Sequence, residues 1–233
     1  AAALAAARAG VEVTLLERFG CFGGNITVVG VEGFAWYRHE QTVEAGGLGW
    51  EFEQRAKAEG AAVPESQSLS YELDSEGFKL VADKLVLEAG IHPMLHRAFV
   101  APIMEGPRVT GVIVESKAGR EAILAERVID ATGDADVAFR AGAPMKSTPR
   151  EELQAASVMF HLAGVNKAAF LDGIRENPST YASWSSGEWQ IETSGKEDEM
   201  YSPYLGKPFD QARAEGLIPA DLDTIAGTWG AVH

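Results

Sequence analysis

Apolar positions along the first half of the chain change period repeatedly, from helical to strand-like and back. Ala fills seven of the first nine positions, the composition with the highest helix propensity, and Gly10 stands where a left-handed residue ends a helix. Val13, Leu15 and Leu16 make the run from Val11 to Leu16 nearly continuous in apolar character, which predicts a strand covered on both faces and stopping at Glu17. Five glycines between Arg18 and Gly33 predict a tightly turning loop. Leu48, Phe52, Arg55 and Ala56 predict an amphipathic helix between Gly46 and Gly60, followed by a polar linker from Pro64 to Ser70.

Phe78, Val81, Ala82, Leu85 and Val86 lie at helical spacing with Gly90 just beyond, and Ile91 to Val100 then reads as a strand. Alternation from Arg108 to Glu115, a turn at Lys117-Ala118-Gly119 and a return from Glu121 to Ala125 predict a β-meander. Arg127 to Ala131 reads as a buried strand running into Thr132-Gly133-Asp134, with a helical turn over Val137 to Ala141. Beyond Pro144 periodicity is weak and aromatic residues recur, among them Trp184, Trp189, Tyr201, Tyr204 and Trp229. The expected organisation is a first α/β segment over residues 1–30, a helical insertion over 31–75, a second segment with the meander over 76–142, and a partial substrate domain over 143–233.

Composition narrows the function classes. The 233 residues carry 34 acids against 20 bases, a net charge of −14, which repels phosphodiester backbones and anionic lipid, and no basic patch offsets it. Nucleic-acid partners are therefore excluded. The uncharged stretch from Phe19 to Val31 is Gly-rich and too short for a membrane span. The single cysteine, Cys21, rules out an intrachain disulfide and a redox-active dithiol, and fits a reducing, cytoplasmic location. The opening Ala-rich run has no cap residue, no initiator Met and no signal-peptide pattern, so it reads as the middle of a helix and the chain as a fragment.

Three features carry candidate chemistry. Glu17 ends the first strand, where a dinucleotide-binding unit uses an acid to accept hydrogen bonds from ribose hydroxyls; the acid suits NAD as well as FAD. Gly23-Gly24-Asn25-Ile26-Thr27 offers backbone that can approach a pyrophosphate, with polar side chains at Asn25 and Thr27. Ile129-Asp130-Ala131-Thr132-Gly133-Asp134 places small residues at the carboxyl edge of a strand, where open α/β sheets bind ligands. Read singly, each is also explained by an exposed strand end, a surface turn or an Asx-type turn.

In this order the features resemble the FAD-dependent oxidoreductase family, flavoproteins of the glutathione-reductase structural type related to fumarate reductase flavoproteins. Leu15-Leu16-Glu17-Arg18 with Gly23-Gly24-Asn25, and the Ala131-Thr132-Gly133-Asp134 run, carry the resemblance, which covers about the first 145 residues well. It implies a doubly wound parallel-sheet FAD-binding domain with a β-meander, joined to a substrate domain. It also implies that Glu17 holds the adenosine ribose, with Arg18 beside the adenosine or pyrophosphate. Gly23, Gly24, Asn25 and Thr27 would pass the pyrophosphate and ribityl chain, and Phe99 or Val100 would meet the adenine edge through backbone groups. Thr132, Gly133 and Asp134 would close over the cofactor. The GxGxxG loop with its strand, and the family's C-terminal Gly-Asp segment, are absent from these 233 residues, so the fold is expected to be incomplete at both ends.

The activity implied is hydride transfer between a small organic substrate and flavin; the rivals are an NAD-dependent dehydrogenase and a non-catalytic FAD-binding module. No catalytic residue is selected by spacing. His39, His161 and Arg150 stand in segments that could face a substrate, whereas His92 and His96 read as structural because Pro93 spoils a helical metal pair. No metal site is expected. Motifs of zinc metalloproteases, P-loop NTPases and α/β-hydrolases are absent.

Overall fold

In the computed structural model the described residues are 1–33, 38–39, 42–43, 46–64, 71–153, 163–166, 168–169, 172, 176, 181–182 and 204–218. Two compact units are present, one of Ala1–Glu32, Gly47–Ala61 and Leu73–Glu152, the other of Gly33–Gly46, Ala62–Glu72 and Leu153–His233.

The first unit is a mixed α/β arrangement with a parallel strand pair and an antiparallel meander. Helix α1 (Ala2–Arg8) ends at Gly10, whose φ of 83° lets the Gly10 and Val11 amides bond back to Ala7 and Ala6. Strand β1 (Thr14–Leu16) is shorter than the apolar run implied. Helix α2 (Leu48–Ala58) packs on helix α3 (Ser75–Glu88), with Phe52 edge-on to Phe78 at 6.3 Å. Its buried face is centred on Glu53 and Ala56 rather than on Leu48; the acid is tolerated there because Lys57 pairs with it at 2.5 Å. Arg8 also forks onto the Glu51 carboxylate through two contacts of 2.6 Å.

Helix α3 starts three residues before its first apolar member because Asp74 caps it, its side chain accepting the Glu76 amide at 2.9 Å. Phe78, Val81, Leu85 and Val86 form its buried stripe, as the spacing predicts. Gly90, at φ 67°, ends it and feeds strand β6 (His92–Met94), which pairs in parallel with β1: Thr14 lies opposite His92 and Leu16 opposite Met94. The short strands β2 (Arg38–His39), β3 (Thr42–Val43), β4 (Ala62–Pro64) and β5 (Tyr71–Leu73), which except for Leu73 belong to the second unit, pair as β2–β3 and β4–β5.

The expected single strand from Ile91 to Val100 is two. His96 adopts φ 53°, a left-handed turn that breaks the run before strand β7 (Ala98–Glu105). Strands β7, β8 (Arg108–Ser116) and β9 (Gly119–Leu124) form the meander. The opposing register skips Val100, leaving it as the extra residue of a β-bulge between Phe99 and Ala101.

The expected strand at 127–131 does not form. No described strand runs beside it to complete a ladder, and Ile129 is 62% exposed. Val128 nevertheless packs, with Leu16, Phe99 and Ile123, against a core of Val112, Val114 and Val137, the last from helix α4 (Asp136–Arg140). Each fully buried valine of this kind contributes about 1.5–3 kcal/mol.

In the second unit, β10 (Tyr181–Ala182) pairs antiparallel with β11 (Tyr204–Leu205), ahead of α5 (Gly206–Ala214). The linker residues 65–70, and Trp184, Trp189, Tyr201 and Trp229, lie outside the described residues.

The meander depends on Gly111, where an added Cβ would stand 2.3 Å from the Ile123 carbonyl oxygen on β9. Gly111→Ala is expected to cost about 1–3 kcal/mol by forcing β8 and β9 apart, measured as a lower urea midpoint with an unchanged slope. An unchanged midpoint would mean that the two strands are not held at this spacing.

Candidate functional site

The site residues fall into two groups on the first unit, both resting on the same core. The first group follows β1. The Glu17 amide donates to the Met94 carbonyl at 3.0 Å, and the Arg97 amide donates to the Glu17 carbonyl at 2.9 Å, so the acid is held at the carboxyl end of the parallel pair. Glu17 Oε1 accepts the Phe19 amide at 2.8 Å, which leaves further lone pairs, including both on Oε2, for outside donors. Arg18 is exposed, its guanidinium 4.5 Å from the Phe19 ring centroid.

Gly23 has φ 123° and Gly24 φ 60°, conformations that side chains resist. A Cβ on Gly23 would meet Thr27 Cγ2 at 2.4 Å, while one on Gly24 would meet nothing within 4 Å. The first glycine is thus required inside the loop, and the second presents open backbone. Asn25 is exposed and begins a single π-helical turn, Asn25–Val29. Thr27 is buried, and its hydroxyl donates to the Phe22 carbonyl at 2.8 Å. Thr27 therefore holds the loop closed, while Asn25 faces outward.

The corner at His96 packs against the segment that follows Glu17. The His96 amide donates to the Phe19 carbonyl at 3.1 Å. Its imidazole lies so close over Gly20 that a Cβ there would stand 2.8 Å from His96 Cε1. The signal available in sequence was Gly20 itself. A shallow cleft of about 720 Å³ is lined by Leu95, His96, Arg97, Lys117 and Ala118.

The second group is built by Asp130. One carboxylate oxygen accepts the Thr132 hydroxyl at 2.7 Å and the Thr132 amide at 3.1 Å, and the other accepts the Ala138 amide at 2.9 Å. The Thr132 hydroxyl in turn accepts the Asp136 amide at 2.9 Å, at the start of α4. Gly133 at φ 95° and Ala135 at φ 59° make the tight bend this requires. Thr132, Gly133 and Asp134 are all exposed, with open space where a Gly133 Cβ would stand. Phe99 and Val100 join this group through Arg140, whose Nη1 donates to the Val100 carbonyl at 2.8 Å and whose guanidinium lies 6.0 Å from the Phe99 ring centroid. The Val100 carbonyl thus already accepts one hydrogen bond from within the protein.

The two groups share a foundation: Leu16, next to Glu17, and Phe99 and Val137 of the second group touch one cluster. Burial alone would raise the pKa of Asp130, but the hydrogen bonds from Ala138, Thr132 and Val137 outweigh it and hold the carboxyl below its ordinary range. Arg150 is exposed in the short helical turn Arg150–Glu152. His161 and the His39 side chain lie outside the described residues. Among the described residues, no cluster of three or more potential metal ligands occurs, and no helix is long and apolar enough to cross a membrane.

Exposed glycine backbone beside a strand-end acid fits a dinucleotide cofactor. Residues 1–224 match the family described as FAD dependent oxidoreductase. The chain belongs to that family. Its cofactor is FAD, which decides between the two dinucleotides that Glu17 alone left open. No curated protein matches the chain. Among solved structures it is similar to Thermovibrio ammonificans THI4, at 17% identity and a TM-score of 0.42, over 60% of this chain and 55% of that one. It is also similar to the glycerol-3-phosphate dehydrogenase from Bacillus halodurans complexed with FAD, at 14% identity and a TM-score of 0.36, over 54% of this chain and 30% of that one. The chain thus spans about half or less of the length of these two proteins.

A pH effect follows from Asp130. Its folded-state pKa lies below the unfolded value of about 3.9, so its contribution is complete above that value and is lost as pH falls through the lowered folded pKa. Asp130→Ala is expected to lose about 1 kcal/mol at neutral pH, with the gap to the unsubstituted protein narrowing in acid. Urea unfolding at pH 7 and near pH 3 reads both. A gap of equal size at the two pH values would show that the charge plays no part.

Proposed function

We propose that this chain supplies the FAD-binding part of an oxidoreductase that transfers a hydride between a small organic substrate and flavin. The observation that carries the reading is Glu17 at the carboxyl end of β1, with carboxylate lone pairs still open and a glycine loop of exposed backbone directly after it. In this reading Glu17 accepts hydrogen bonds from the adenosine ribose hydroxyls, and Arg18 supplies positive charge nearby. Backbone amides at Gly23, Gly24 and Asn25 face the pyrophosphate, with Thr27 bracing the loop from inside. Phe99 and Val100 border the adenine, and Thr132, Gly133 and Asp134 cover the cofactor from the Asp130-built turn.

When bound, FAD supplies a two-electron acceptor for a hydride at flavin N5. The protein residues orient the cofactor, hold its charged and polar groups and exclude water from it. The substrate is bound by residues 143–233 as a partner domain, and the enzyme works in the cytoplasm, consistent with its free Cys21.

Protein purified with FAD should be yellow, with an absorbance band near ~450 nm, and should gain thermal stability when FAD is added. Glu17→Ala is expected to weaken FAD about tenfold or more, the scale of lost hydrogen bonds to a charged group, with the melting temperature of the FAD-free protein unchanged. Colourless protein with no FAD-dependent stabilisation would refute the cofactor site. Bound FAD that no organic donor reduces would favour a binding module over an enzyme.

A further inference from the structure

The two segments Phe99–Val100 and Thr132–Asp134 are separated by more than thirty residues, yet one side chain joins them. Arg140 reaches from the end of α4 to the carbonyl of Val100, the residue at which β7 bulges, and lies over Phe99 of the same strand. The other end of α4 is fixed by Thr132 and Asp130, which take the Asp136 and Ala138 amides. Between them Val137 is buried in the core against Val112 and Val114. The chain of contacts is continuous: turn, Asp130, α4, Arg140, bulge. Bulges re-aim the backbone around them, and a guanidinium that donates to a carbonyl while lying over an aromatic ring fixes both in a way a lysine does not.

We infer that Arg140 is a positioning residue that locks the Phe99–Val100 bulge to the Thr132–Asp134 turn, so that the two segments meet the cofactor as one rigid platform. This rests on the assignment of both segments to FAD. Arg140 itself does not touch the reacting atoms in this account; it acts through Val100 and, by way of α4, through Thr132.

The test uses Arg140→Met, Arg140→Lys, Asp130→Asn and the Arg140→Met/Asp130→Asn pair in the full chain. Exposed Arg8→Gln, whose partner is Glu51, serves as a control for loss of a surface charge. Two readouts are made. In FAD-free protein, amide exchange and chemical shifts are followed at Val100, Thr132 and Ala138. With FAD, affinity is taken from flavin fluorescence and the bound geometry from the visible circular dichroism of the flavin. Arg140→Met is expected to speed exchange at Thr132 and Ala138 although neither touches it, to weaken FAD about tenfold, and to change the flavin dichroism. Arg140→Lys should recover only part of this. The double variant should weaken FAD by less than the product of the single effects, the mark of coupled residues.

Changes confined to Val100, or single effects that multiply independently, would overturn the inference. So would unchanged affinity and dichroism in Arg140→Met while the unsubstituted protein binds FAD. If instead the unsubstituted protein fails to bind FAD while exchange still responds at all three positions, the lock stands and the cofactor assignment falls. Should Arg140→Met fail to fold, Arg140→Lys carries the same comparisons.

Discussion

The Asp130 carboxylate is the constraint on which the candidate site turns. It stands in a segment that has the composition of a strand and no described strand beside it. The backbone there must find other partners, because unpaired peptide groups are costly wherever water is excluded. Asp130 supplies them locally: the Thr132 amide and hydroxyl on one side, the Ala138 amide on the other. An ionised acceptor makes these bonds stronger than neutral ones. The segment is therefore held in one bend, and the exposed Gly133 and Asp134 backbone is presented from a fixed base.

That base also organises what lies below it. Closing the bend starts α4, α4 brings Val137 into the core, and the same core carries Leu16 immediately before Glu17. The strand-end acid and the turn are thus referenced to one set of packed valines rather than to each other. Parallel pairing of β1 with β6 fixes the acid from the other side, through the Met94 carbonyl and the Arg97 amide. Glycines act where the backbone itself has to be reached: Gly23 clears room for Thr27, and Gly24 leaves its surface open.

Much of this was legible in the sequence. Periodicity located α3 and its buried stripe, and Gly10 and Gly90 marked helix ends by the left-handed conformation they adopt. The meander followed from alternation, and Glu17 from its place at the end of an apolar run. What periodicity could not show was long-range partnership. The 127–131 run looked like a strand because composition reports burial and not whether a neighbour exists. The polar pair His96-Arg97 marks where the expected Ile91–Val100 strand breaks, but the left-handed turn there rests on contacts with Phe19 and Gly20, which are distant in sequence. Glu53 and Lys57 stand four apart on α2, so their pairing is readable from spacing; that this face of the helix is the buried one is not. That Thr27 braces the loop from inside is not legible either, because sequence does not say which way a hydroxyl points.

The central claim is that the acid at the end of β1, the glycine loop after it and the Asp130-built turn form one FAD site. A crystal structure of the protein grown with FAD tests it most directly. The account predicts the adenosine ribose hydroxyls within hydrogen-bonding distance of the Glu17 carboxylate and the pyrophosphate against the Gly23–Asn25 backbone, with the Thr132–Asp134 turn over the cofactor. FAD bound with Glu17 solvated and remote from the ribose, or lying away from both segments, would contradict it.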